Sequence, residues 1–158
     1  MIIFGIDPGM AIVGYCALEV EDNDSFTVKT WGSIQTHKDN SIPERLLEIH
    51  QDLKKLLEQI QPDVVAIEEL FFFKNAKTLT PVLEARGVIL LTAQMLDIPI
   101  YEYTPLVIKQ VLTGYGRAEK HEVKEMLSRI IKIPESLKLD DVVDAAAIAY
   151  CHARQSQC

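Results

Sequence analysis

Residues 2–9 read Ile-Ile-Phe-Gly-Ile-Asp-Pro-Gly, an apolar run from Ile2 to Ile6 that stops at Asp7, Pro8 and Gly9. A short apolar run bounded by turn formers predicts a buried strand. Two more strands are expected at Ile12 to Val20 and Phe26 to Thr36, joined by the polar turn Glu21 to Ser25. Three strands with no helix between them suggest an antiparallel meander. His37 to Asn40 is the polar loop that follows. Ser41 with Glu44 three residues on forms a capping-box pattern, with Pro43 in the first turn. Leu46, Ile49, Leu53, Leu56, Leu57 and Ile60 then recur at helical spacing until Pro62. Val64 to Ile67 is the next apolar strand, and the intervening helix makes it parallel to the first.

Beyond Glu68 and Glu69, a second helix is expected from about Thr80 to Leu96, with Val82, Leu83, Val88, Ile89, Leu91 and Met95 on more than one face. One of those faces needs a partner beyond a single core. Ile98 to Tyr103 reads as a fifth strand, Pro105 to Leu112 as a short helix and Gly114 to Gly116 as a loop. Helices from Glu119 to Ile131 and from about Asp140 to Arg154 complete the chain, the last one apolar all round at Ala145 to Ala149. The expected fold is therefore α/β, a five-stranded mixed sheet with helices on both faces. Sites in such sheets gather at strand ends.

At 158 residues, 48% hydrophobic and 25% charged, the chain is expected to be one domain, residues 1–158. No apolar run reaches the roughly eighteen residues that span a bilayer and Met1 to Asp7 has no basic leader, so the expected location is the cytoplasm, with no membrane partner. Cys16, Cys151 and Cys158 have no paired spacing, which speaks against a disulfide framework, and Cys151 beside His152 reads as a core thiol. The net charge of −7 counts against a nucleic-acid partner. Lys74, Lys77, Arg86, Lys109, Arg117, Lys120 and Lys124 are nevertheless gathered between 74 and 124, where they are expected to form a local basic track.

The chemistry lies in the carboxylates. Asp7 and Glu68 end strands expected to be adjacent and parallel, and Asp141 with Asp144 open the last helix. Asp7 before Pro8 also suits a turn, and Asp140 and Asp141 also suit a helix cap. Asp144 lies further into an apolar helix, where an unpaired buried charge costs about 3–5 kcal/mol. Asp141 and Asp144 share a helix face, but so do Asp140 and Asp144, and spacing does not choose between them. Carboxylates a few ångströms apart repel unless they take up protons or share a divalent cation. Oxygen ligands alone suit Mg²⁺ or Mn²⁺ better than zinc, and two such ions about 4 Å apart serve in-line displacement at phosphorus. Phosphodiester hydrolysis is the expected reaction.

Together these residues resemble the bacterial RuvC type of Holliday junction resolvase, a branch of the ribonuclease H-like nucleases. The likeness spans nearly the whole chain. It rests on Gly5-Ile6-Asp7-Pro8-Gly9 with Gly14, Ala66-Ile67-Glu68, Lys74-Asn75-Ala76, Ala85-Arg86-Gly87, Gly116 through Lys120, and Asp141-Val142-Val143-Asp144-Ala145. The resemblance implies a ribonuclease H-like fold and a homodimer that nicks four-way DNA junctions symmetrically, in recombination and repair. It makes Asp7, Glu68, Asp141 and Asp144 the ligands of two Mg²⁺ ions, with Mn²⁺ as a substitute, and it prefers Asp141 to Asp140 by the family spacing. It places Lys109 and Lys120 near the phosphates, with Lys120 in the catalytic set, and Phe71 at the bases of the crossover. It also implies a branch-migration helicase complex as partner.

Two departures from the pattern stand out. Glu69 and Asp140 add charge beside two ligands, and Phe71, Phe72 and Phe73 form a run in which several rings compete for the base contact. Three other readings compete. An actin-like nucleotide-binding protein also opens with Gly-Ile-Asp, but it needs a second lobe. A non-catalytic DNA-architectural module would use the acids only as caps and turns. A related nuclease acting on RNA–DNA hybrids or other branched DNA is separated from the resolvase by the family motifs alone.

Overall fold

The computed structural model describes residues 1–21, 25–70, 76–131 and 140–156. In chain order they form β1 (Ile2–Asp7), β2 (Ile12–Val20), β3 (Phe26–Gln35), α1 (Ile42–Ile60), β4 (Val64–Glu68), α2 (Ala76–Met95), β5 (Ile100–Tyr103), α3 (Pro105–Thr113), α4 (Lys120–Ile130) and α5 (Asp140–Gln155). The sheet order is β3-β2-β1-β4-β5. β1 lies at its centre, antiparallel to β2 and parallel to β4, and β4 is parallel to β5. Ile3, Phe4 and Ile6 are fully buried, as a strand covered on both faces demands.

Alternation along β1 divides its side chains between two cores. Ile3, with Cys16, Leu18 and Ala66, packs under α3, α4 and α5. Phe4 and Ile6, with Val13, Ala17, Val65 and Ile67, pack under α1 and α2. Cys151 is wholly buried in the first core, the thiol position expected of it.

Glycines let α5 lie almost on the strands. A Cβ on Gly5 would overlap the Ala145 carbonyl and come within 2.9 Å of the Ala149 Cβ. One on Gly14 would overlap the Asp141 carbonyl. Since Gly14 is the β2 residue paired with Asp7, the first turn of α5 is seated over the end of β1.

Local signals set several boundaries as expected. Ser41 caps α1, and the Glu44 carboxylate accepts from the Ser41 N–H at 2.7 Å. Glu119 caps α4, its N–H donating to the Glu122 carboxylate at 2.7 Å. Two boundaries differ by more than one residue. α2 starts at Ala76 rather than Thr80 and carries Pro81 inside it. β5 starts at Ile100 rather than Ile98, because the Ile98 N–H donates back to the Ala93 carbonyl at 3.1 Å and Asp97 turns the chain with φ of 55°. Of the expected turn from Glu21 to Ser25 the two ends are described, the Glu21 N–H donating to the Ser25 carbonyl at 3.1 Å, and residues 22–24 lie outside the described residues.

Candidate active site

Parallel neighbours end side by side. Ile6 is paired with Ile67, so Asp7 and Glu68 leave the sheet together at the same edge. The close seating of α5 on Gly14 brings Asp141 and Asp144 to that edge. One carboxylate oxygen from each of Asp7, Asp141 and Asp144 lies within 4.8 Å of the others. Glu68 is not one of this trio. It lines a cavity of about 190 Å³ with Asp144, Lys109, Lys120, Pro105 and Ile108.

The electrostatics are those of a site short of positive charge. Burial, then the charges of Asp144, Glu68 and Asp141, raise the Asp7 carboxyl from 3.8 to about 8, so without a cation it keeps its proton at neutral pH. Burial and Asp144 raise Glu68, while Lys109 and Lys120 pull it back. Burial also raises Asp144, opposed chiefly by Lys120. The Lys120 ammonium lies 3.4 Å from Asp144 and 3.6 Å from Asp140, and these two carboxylates raise its pKa despite partial burial. A divalent cation fits these residues, since the donors are all oxygens and one of them is otherwise held neutral.

Of the two aspartates that spacing left open, Asp141 joins the trio and Asp140 faces Lys120. Glu69 is exposed and its N–H donates to the Tyr103 carbonyl at 2.8 Å. Lys109 lies in the cavity wall, and Arg117 and Lys124 are exposed on the segment that carries Lys120. Lys77 is exposed at the start of α2. Arg86 corrects the expected basic track. Its guanidinium pairs with Glu102 of β5 at 2.6 Å and its side chain is only 15% exposed, so it braces α2 against the sheet instead of facing solvent. Phe71, Phe72, Phe73 and Lys74 lie outside the described residues.

One contact went unread in the sequence. The Tyr103 hydroxyl lies 2.6 Å from His152 Nδ1, and the Tyr101 ring packs on the same imidazole at 4.6 Å. Tyr103 is the β5 residue paired with Glu68, so this bond ties the strand edge beside Glu68 to α5. The partners are 49 residues apart in sequence, and no local pattern announces them. A larger cavity of about 350 Å³, lined by Leu57, Pro62, Leu96 and Pro99, lies at the opposite ends of the parallel strands. It contains none of the four carboxylates, and the chemistry of the donors locates the site better than volume does.

Residues 3–152 match the family model for crossover junction endodeoxyribonuclease RuvC. The RuvC of Petrotoga mobilis is 48% identical over 152 residues, covering 96% of this chain and 93% of that protein. The RuvC of Alkaliphilus metalliredigens is 49% identical over 153 residues, covering 97% and 93%. The solved structure of T. thermophilus RuvC in complex with Holliday junction substrate has a TM-score of 0.93 at 31% identity, covering 99% of this chain and 95% of that one. The yeast mitochondrial Holliday junction resolvase, with a TM-score of 0.73 at 15% identity, covers 98% of this chain and 79% of that one and shares the fold. The architecture is ribonuclease H-like, as the motifs implied.

Proposed function

As the chain belongs to the crossover junction endodeoxyribonuclease RuvC family, we propose that it resolves four-way DNA junctions by hydrolysing one phosphodiester in each of two strands of like polarity. The observation that carries this reading is the trio Asp7, Asp141 and Asp144, with oxygens within 4.8 Å of one another beside Glu68.

These four carboxylates would hold two Mg²⁺ ions, or Mn²⁺ in their place. Bound there, the ions supply an activated water and stabilise charge on the leaving oxygen. The chain supplies the rest. Strand ends and a helix seated on glycine fix the carboxylates before DNA arrives, so little reorganisation accompanies the reaction. Lys120 is held at the cavity by Asp144 and Asp140, within reach of a scissile-strand phosphate whose developing charge it would stabilise. Lys109, Arg117 and Lys124 extend this cationic ground, locally offsetting a net charge of −7. The bases would meet an aromatic side chain at Phe71, with Lys74 and Lys77 nearby in sequence.

Two cuts require two sites, and the described residues carry one acidic cluster, so the working form is a homodimer. α2 supports it. Leu83, Leu91 and Met95 are 47%, 58% and 60% exposed along the helix. Between them Gly87, which costs a helix about 0.5–1 kcal/mol relative to alanine, faces open space, since among the described residues a Cβ there would meet nothing within 4 Å beyond its own helix backbone and chain neighbours. A second helix approaching closely would account for both. The single domain 1–158 would act in the cytoplasm, alongside a branch-migration helicase complex.

The test is cleavage of a labelled four-way junction beside linear duplex and an RNA–DNA hybrid, with Mg²⁺ or Ca²⁺, by the parent and Asp7→Asn. Paired symmetric nicks in the junction alone, with Mg²⁺ and lost in the variant, are expected. Cleavage of the hybrid instead, or junction binding with no cleavage, would overturn the reading. Sedimentation at micromolar concentration should give a dimer that Leu91→Glu dissociates, and a monomeric parent would refute the α2 interface.

A further inference from the structure

The loop between α3 and α4 presents the aromatic ring of Tyr115 to solvent. Tyr115 is 60% exposed, and among the described residues its phenol makes no hydrogen bond and its ring meets no other ring. Its backbone is nevertheless held firmly. The Tyr115 N–H donates to the Thr113 hydroxyl at 3.1 Å, and its carbonyl accepts from the Ala118 N–H at 3.1 Å. Gly114 makes the turn that precedes it at φ of 77°. A fixed backbone with an exposed ring is the construction of a contact residue, because an aromatic side chain loses little conformational freedom when it binds.

Its surroundings say what it contacts. Leu106 is 55% exposed and lies against Gly116, where a Cβ would come within 2.9 Å of its Cγ. Leu106 follows Pro105, and Pro105 with Lys109 and Lys120 walls the catalytic cavity. Leu106 and the loop that carries Tyr115 thus adjoin a wall residue of the site, with Arg117 two residues beyond Tyr115 in sequence and Lys120 five. Of the acids on this segment, Glu122 is engaged by the Glu119 N–H and Glu119 lies 3.3 Å from His121. An exposed aromatic ring on a loop that leads within five residues to a cation of the site has the composition of the stacking platforms of proteins that bind unpaired nucleic acid.

We propose that Tyr115, supported by Leu106, is a base-stacking platform that receives an unstacked base of the junction next to the cleaved strand, and so favours branched DNA over duplex. The inference rests on the junction reading above. Linear duplex keeps its bases stacked and offers the ring nothing to receive, whereas the crossover of a branched substrate yields a base at smaller cost.

The experiment is fluorescence anisotropy with labelled junction and labelled linear duplex in Ca²⁺, for the parent, Tyr115→Phe and Tyr115→Ala, over a series of salt concentrations. Tyr115→Ala should bind the junction about tenfold more weakly, on the scale of one lost base stack, with duplex binding and thermal midpoint unchanged. Tyr115→Phe should bind like the parent. The slope of log affinity against log salt should not change for either, whereas Arg117→Gln should lower it by about one phosphate contact. 2-Aminopurine placed next to the cut should be quenched by the parent and by Tyr115→Phe but not by Tyr115→Ala. Parental junction affinity in Tyr115→Ala, or equal weakening in Tyr115→Phe, would overturn the proposal and leave junction resolution standing. A parent that binds junction no better than duplex would instead remove the junction reading, and the platform with it.

Discussion

Replacing Asp7 by asparagine is expected to stabilise the metal-free protein while abolishing its activity. The Asp7 carboxyl titrates near 3.8 when unperturbed and near 8 in the folded chain, where burial and three neighbouring carboxylates oppose its charge. At pH 7 in EDTA, folding therefore draws a proton onto Asp7 at a cost of about 4 kcal/mol. Asparagine needs no such proton, and its amide can donate to Asp141 as the protonated carboxyl does. Domains of this size gain about 2–4 °C in midpoint per kcal/mol, so a rise of about 10 °C is expected. The sign of the pH dependence follows from the raised value. Between 3.8 and about 8 the folded chain keeps a proton that the unfolded chain has released, so the parent loses stability as pH rises through that window and levels off above it. Below pH 4 the two proteins should melt alike. Calorimetric midpoints in EDTA across this range, with junction cleavage in Mg²⁺ expected to fall at least ~100-fold (about 2.7 kcal/mol of barrier), make the test. A variant melting at or below the parent at pH 7 in EDTA would refute the reasoning, whatever became of its activity.

Gly14→Ala should push α5 off the sheet, costing about 1–3 kcal/mol in urea unfolding and lowering cleavage more than junction binding; parental behaviour in both would show that the helix is not seated on this glycine. Arg86→Met should lower the thermal midpoint and leave the salt slope of junction binding untouched, and a shallower slope would return Arg86 to the DNA surface. Burial depresses His152 below its ordinary 6.5, so its contribution to stability is complete above that pH and is lost as pH falls towards the folded value. His152→Gln should therefore differ from the parent in midpoint by an amount that changes between pH 5 and 7, and a constant difference would rule the histidine out as the cause.

The sheet could be read from the chain because its order is written in local signals. Continuous apolar runs marked β1 and β4, and the Ser41–Glu44 pair marked the start of α1. Misreadings arose where a local signal had two meanings. Pro81 suits a first helical turn, yet in α2 it sits a turn and a half inside. Ile98 and Pro99 look extended in sequence, but a backbone bond to Ala93 makes them part of the helix exit. At the site, Asp7 and Glu68 followed from the parallel pairing of their strands. Asp140 and Asp141 were inseparable by spacing, and only the seating of α5 on Gly14 turns Asp141 to Asp7 while Asp140 meets Lys120. Arg86 looked like any other basic residue, since its commitment to Glu102 depends on how α2 crosses β5.

The carboxylate trio joins the first strand of the chain to the helix that begins at Asp140. A ribosome making this protein delivers Asp7 early and Asp144 more than 130 residues later, and the intervening strands and helices fold around a centre that still lacks its closing element. A chain clipped before α5 would retain Asp7 and Glu68 but lose the trio, so the acidic centre exists only when the first strand and this helix are folded against each other.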